Sequence, residues 1–110
     1  MAHVKEYDKL VRDKIPDILE EAHKSYKTRI ANPEEYESYL VKKLVEESAE
    51  FLESPCLEEA ADIYEVFLAI LNNRKLSMEQ VQLVASNKKE IKGAFDNCII
   101  LEKVYENGES

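Results

Sequence analysis

Ala60-Ala61-Asp62-Ile63-Tyr64-Glu65-Val66-Phe67-Leu68-Ala69-Ile70-Leu71 is apolar or aromatic at every position except Asp62 and Glu65. A helix that is apolar nearly all round is a buried helix. Acids inside such a helix must be paired, protonated or bound to metal. Upstream lies Leu44-Val45-Glu46-Glu47-Ser48-Ala49-Glu50-Phe51. At 100° per residue, Glu47 falls in the apolar arc shared by Leu40, Leu44 and Phe51. Two neighbouring segments therefore each place acids on an apolar face.

Working outward, the punctuation predicts an all-α fold of about four helices. Gly and Pro number only 2 and 3, too few for the tight turns of a sheet-rich fold. Ile15 precedes Pro16, so residues 9–15 should be extended, with a helix from about Pro16 to Lys27. Asn32-Pro33-Glu34-Glu35 reads as a capping box opening a second helix, to about Glu53. Ser54-Pro55 ends that helix and starts a third, to about Asn72. Ser77-Met78-Glu79-Gln80 opens a fourth, to about Lys92, where Gly93 is placed to stop it. The segment from Phe95 to Tyr105 reads either as a short strand or as a packed extended tail.

A chain of 110 residues fits one domain spanning 1–110. A core this small is often completed by association. A third helix this apolar cannot be covered by three neighbours in so short a chain, so a dimer, or a dimer of dimers, is expected with that helix near the interface. The formal charge of −8 argues against duplex nucleic acid as a partner. Cys56 and Cys98 are isolated, as expected of free thiols in a reducing compartment. The opening Met1-Ala2-His3-Val4-Lys5-Glu6 has no apolar signal core, and no apolar run approaches the ~18 residues of a membrane span. A cytoplasmic protein is expected.

Residues three apart on a helix are neighbours, so Glu47 pairs with Glu50 and Glu59 with Asp62. Consecutive helices joined by a short turn pack antiparallel, which lets the pairs face each other. Two like charges ~4 Å apart repel by ~4 kcal/mol at an effective dielectric of 20, and a divalent cation removes that repulsion. Oxygen donors with no His beside them suit Mg²⁺, with Mn²⁺ as an alternative, and argue against zinc. The competing explanation is a solvated acidic face, on which Glu pairs at helical spacing are common. Glu46, Glu53 and Glu58 are read as solvated or cap-like, and Glu65 as a ligand, a group behind the ligands or a partner for a buried base.

The pattern Glu46-Glu47-Ser48-Ala49-Glu50 followed by Glu59-Ala60-Ala61-Asp62 resembles the MazG-like superfamily of all-α nucleotide pyrophosphohydrolases, which includes phosphoribosyl-ATP pyrophosphatase. Lys9-Leu10-Val11-Arg12-Asp13-Lys14-Ile15-Pro16 and Lys92-Gly93-Ala94-Phe95 are similar to elements of a house-cleaning subgroup. The resemblance covers roughly Lys9 to Leu101. It departs from the family in the short separation of Glu50 and Glu59, residues 51–58, and in Ala94, where Gly is common. It implies metal ligands at Glu47, Glu50, Glu59 and Asp62; a carboxylate not fully occupied by metal, Glu47 or Glu50, is the expected acceptor of the attacking water's proton.

The implied reaction is Mg²⁺-dependent hydrolysis of a non-standard or surplus nucleoside triphosphate to the monophosphate and pyrophosphate. A phosphoribosyl-nucleotide substrate is one alternative. A non-enzymatic acidic module that binds a partner is another. Arg12 and Lys14 precede the first helix, either as an anion site or as surface partners of Asp13, Asp17 and Glu20. Lys88 and Lys92, with Lys89, either complement a helix C-terminus or, as the family implies for Lys88 and Lys92, contact substrate. His3 and His23 read as surface residues. Tyr26, Tyr36, Tyr39 and Tyr64 read as core residues, or one of them as a wall of a base pocket.

Overall fold

The computed structural model describes residues 3–106; of the opening stretch read for a signal core, Met1 and Ala2 lie outside the described residues. Four helices follow in order: α1 (Ile15–Glu21), α2 (Pro33–Glu53), α3 (Leu57–Asn73) and α4 (Met78–Lys92). No strand occurs among the described residues, so the fold is all-α. Among the described residues, no helix is long and apolar enough to cross a membrane. The chain divides into two compact units, Met1–Ser77 and Met78–Ser110.

In the first unit, α2 packs on α3 across the three-residue break at 54–56, forming an αα-hairpin. Helix α2 starts where expected. The Asn32 side chain accepts from the Glu35 backbone N–H at 2.9 Å, and the Glu35 carboxylate accepts from the Asn32 backbone N–H at 3.0 Å. This reciprocal box satisfies two donors that a helix start leaves orphaned. Glu35 also receives Arg29 at 2.6 Å, and these bonds hold its carboxyl below the ordinary glutamate range. On α2, Leu40 and Glu47 are buried and Leu44 and Phe51 half-buried, which is the arc read from the sequence. On α3, Val66 is buried, and Glu59, Asp62, Ile63 and Ile70 are half-buried on the same side.

Helix α1 is shorter than the expected span to Lys27. His23 takes φ 57°, its N–H bonds to the Glu20 carbonyl at 3.0 Å, and the Lys24 N–H bonds to the Leu19 carbonyl at 2.9 Å. That is a Schellman closure with histidine, one of the residues more tolerant of φ > 0, in the left-handed position. Helix α3 ends the same way. Lys75 takes φ 59°, with its N–H to the Asn72 carbonyl at 3.2 Å and the Leu76 N–H to the Leu71 carbonyl at 2.8 Å. The start of α3 also differs from the expected Ser54-Pro55 cap. Cys56 holds the N-cap position, with no side-chain cap bond.

In the second unit, Gly93 stops α4 at φ 83° as expected, with its N–H on the Lys89 carbonyl at 2.8 Å. Beyond it, Ile99, Ile100 and Leu101 are exposed, without strand pairing. The segment from Phe95 to Tyr105 is therefore neither a strand nor a packed tail in this chain. Both cysteines are free and exposed.

In the single chain α3 is not covered on all sides. Leu57, Ala60, Ala61, Tyr64 and Phe67 are exposed, Leu57 at 88% and Tyr64 at 54%. At helical spacing these residues share the side of α3 turned away from α2. Tyr26 is likewise exposed, with its hydroxyl on Glu20 at 2.6 Å, so neither it nor Tyr64 is a core residue here. Tyr36 and Tyr39 are half-buried.

The α2 cap gives a direct stability test. Asn32→Ala removes the side-chain acceptor and should cost about 1 kcal/mol. Urea unfolding, read by helical circular dichroism, should show the midpoint fall with an unchanged slope.

Candidate metal centre

Glu47 is the one buried charged residue among the described residues, 6% exposed. It sits one turn beyond Lys43 on the inner side of α2. Lys43 Nζ lies 3.3 Å from Glu47 Oε1 and 3.3 Å from a Glu46 oxygen. Glu47 Oε2 has no hydrogen-bond partner, and neither does Glu59 Oε2 on α3. Buried polar atoms without partners are rare, and each calls for an explanation.

The explanation lies in the grouping. Glu47 and Glu50 from α2 and Glu59 from α3 each offer a carboxylate oxygen, and the three oxygens lie within 4.8 Å of one another. The hairpin thus brings together three of the four acids read from the sequence as metal ligands. Burial pushes the Glu47 carboxyl above the ordinary glutamate range, and the adjacent Glu50 carboxylate pushes it further; Lys43 pulls the other way. Two carboxyl groups can bond to each other only by sharing a proton. Ionised, they have no donor for the inward oxygens, and a hard cation can take that place.

Asp62, the fourth acid, is occupied. Arg12 Nη2 lies 2.7 Å from Asp62 Oδ1, with both side chains partly exposed. The structure thus groups Glu47, Glu50 and Glu59 and places Asp62, read from the sequence as the fourth ligand, against Arg12. Helix α1 begins just after Arg12 and Lys14. It has only seven residues, Lys14 at its N-cap makes no capping bond, and Arg12 is turned to Asp62. Lys14 is exposed. Lys88 and Lys92 lie in the second unit, both exposed, with Lys92 in the last turn of α4. Glu53, Glu58 and Glu65 are exposed, as expected of solvated acids for the first two.

The sequence reading missed the cations around the cluster. Lys43 was legible, since it lies three and four residues before Glu46 and Glu47 on one helix face. Lys9 was not. Its Nζ reaches Glu46 Oε1 at 3.3 Å across 37 residues of chain. Glu46 is not solvated as expected. It is half-buried, and despite burial its carboxyl is held below the ordinary range by Lys43 and Lys9. The adjacent acids Glu46 and Glu47 are thus pushed in opposite directions, Glu46 serving two lysines and Glu47 facing other acids.

A shallow concavity bordered by Glu102, Lys103 and Tyr105 belongs to the second unit and contains none of these carboxylates. Compared with protein-family models, curated proteins and solved structures, the chain matches none.

The raised Glu47 carboxyl has a signed consequence for the metal-free protein. The folded chain keeps a proton that the unfolded chain loses at lower pH. Its contribution to stability is full below the unfolded-state value and is lost as pH rises through the folded-state value. Glu47→Gln has no such proton to lose. Thermal melts in chelator from about pH 4 to about pH 8 should show the variant overtaking the parent as pH rises. A parallel decline in both proteins would count against a strained Glu47.

Proposed function

We propose that this chain is a MazG-like nucleotide pyrophosphohydrolase that cleaves a non-standard or surplus nucleoside triphosphate into the monophosphate and pyrophosphate. The observation that carries this reading is the inward, unpartnered Glu47 oxygen, buried beside the Glu50 and Glu59 carboxylates. The donor set fits the cation the resemblance implies. It is all carboxylate oxygen, contains no His or Cys, and suits Mg²⁺ or Mn²⁺ better than zinc.

In this reading Glu47, Glu50 and Glu59 hold the ion, and Asp62 is the remaining oxygen donor. The bound ion supplies Lewis acidity, offsetting charge on phosphate oxygens and making water easier to deprotonate. The chain's own groups do the rest. Glu50, exposed at the mouth of the cluster, takes the proton of the attacking water. Glu47, buried and unable to turn outward, fixes the position of that mouth. Arg12 and Lys14 balance negative charge on the phosphates. A cytoplasmic setting, where nucleotides are plentiful, goes with this activity.

The reading includes a second copy of the chain. Buried apolar residues among the described residues are limited to Leu40, Val66 and Leu71. The outer side of α3 lies open, with Leu57 and Tyr64 on it. Two such faces packed together would supply the cover that one chain lacks.

The partner-binding reading is favoured by one set of observations, the ion pairs of Glu46 with Lys43 and Lys9 and of Asp62 with Arg12. It leaves the orphaned oxygens of Glu47 and Glu59 without a role.

A panel of triphosphates and phosphoribosyl-ATP incubated with Mg²⁺, scored by pyrophosphate release, tests the activity and separates the two enzyme readings. At least one compound should turn over. Glu50→Gln should lower its rate by at least about 100-fold with the circular dichroism unchanged. No turnover of any compound, or full activity in Glu50→Gln, would refute the assignment.

Sedimentation equilibrium tests the second copy. The parent should be a dimer, and Tyr64→Glu should shift it towards monomer and lower its melting temperature. In a true monomer the same exposed substitution would stay within about 0.5 kcal/mol.

A further inference from the structure

The segment before α1 is pinned to the α2–α3 hairpin at three points. Tyr39 Oη donates to Asp8 Oδ1 at 2.5 Å, Lys9 reaches Glu46 at 3.3 Å, and Arg12 reaches Asp62 at 2.7 Å. Two of these contacts border the carboxylate cluster. Glu46 adjoins Glu47, and Asp62 lies one turn from Glu59 on the same face of α3. The chain thus brings its own cation, Arg12, to the carboxylate next in line to the three that converge.

We propose that Arg12 is a displaceable counter-cation for Asp62, which a divalent ion at Glu47, Glu50 and Glu59 must dislodge before Asp62 can join it. The inference rests on the metal reading of that cluster. Its basis is a contrast between two kinds of carboxylate. Glu47 and Glu59 have oxygens that are buried and without partners, whereas Asp62 is satisfied by a guanidinium. The Arg12–Asp62 pair is partly exposed on both sides, 57% and 37%, so solvent screens it and it holds weakly. A divalent ion carries twice the charge of the guanidinium and concentrates it on one small centre. Once free, the guanidinium retains a planar fork of donors suited to phosphate oxygens. Asp62 and a phosphorylated ligand then compete for the same guanidinium, so such a ligand and the cation assist each other's binding, and by linkage they do so equally.

The test is Mn²⁺ affinity, read as free Mn²⁺ by electron paramagnetic resonance, with no nucleotide and no turnover. Arg12→Ala should bind Mn²⁺ roughly two- to fivefold more tightly than the parent, the range of an exposed ion pair. In an Asp62→Asn background, Arg12→Ala should leave the affinity unchanged. Mere removal of a nearby positive charge would tighten binding in both backgrounds. A second readout needs no variant: the Arg12 Nε–H resonance should move in step with saturation by diamagnetic Mg²⁺. Equal affinity in parent and Arg12→Ala, a gain that persists with Asp62→Asn, or an Arg12 resonance indifferent to Mg²⁺ would each overturn the proposal while leaving the metal site intact. No Mn²⁺ binding by the parent would instead overturn the metal reading beneath it.

Discussion

Burying a carboxylate is costly unless something inside replaces the water it loses, and Glu47 has only half of a replacement. Lys43 reaches one of its oxygens, while the other faces acids from α2 and α3. The α2–α3 hairpin is what holds these groups together, so its apolar contacts work against charge repulsion at its own centre. Leu40, Leu44 and Phe51 from α2, with Ile63, Val66 and Ile70 from α3, provide the opposing attraction. A purely structural hairpin would gain by exchanging Glu47 for an apolar residue. The local conflict between packing and charge is the kind of inconsistency expected at a functional site.

Around that centre the chain sorts its charges. Glu46, one residue away but turned differently, is saturated by Lys43 and Lys9. Asp62 is saturated by Arg12. What remains without a partner is one buried oxygen of Glu47 and one of Glu59, facing each other's helices beside Glu50. Under the proposed function the segment carrying Lys9 and Arg12 has two duties, because it closes the first unit on its acidic side and keeps a phosphate-binding guanidinium close to the cluster. The exposed outer face of α3 belongs to the same economy of a small chain. One face of that helix lines the acids, and the opposite face is exposed.

Local chemistry was legible in the sequence to the extent that it is local. Asn32-Pro33-Glu34-Glu35 named the start of α2 because a capping box is complete within four residues. Gly93 named the end of α4 for the same reason, since its backbone freedom is intrinsic. Helix periodicity placed Glu47 inside and brought Glu50 and Glu59 to it. Other features were not legible, among them the reach of Lys9 to Glu46. Helix α1 stopped early at a histidine in the left-handed region, a role that sequence rules reserve mainly for glycine. Helix α3 began at Cys56 although Ser54-Pro55 is the better cap on paper. The pairing of Arg12 with Asp62 spans 50 residues, and no periodicity connects them. The apolar run of α3 shows a need for cover without showing what supplies it.

If acids of α2 and α3 converge on a cation instead of on water or lysine, diffraction from crystals soaked in Mn²⁺ will reveal it between the two helices. An anomalous peak is expected between the two helices, at about 2.1 Å from carboxylate oxygens of both Glu47 and Glu59. Strong anomalous peaks confined to outward acids such as Glu34 or Glu58, with Glu47 still unliganded, would contradict it.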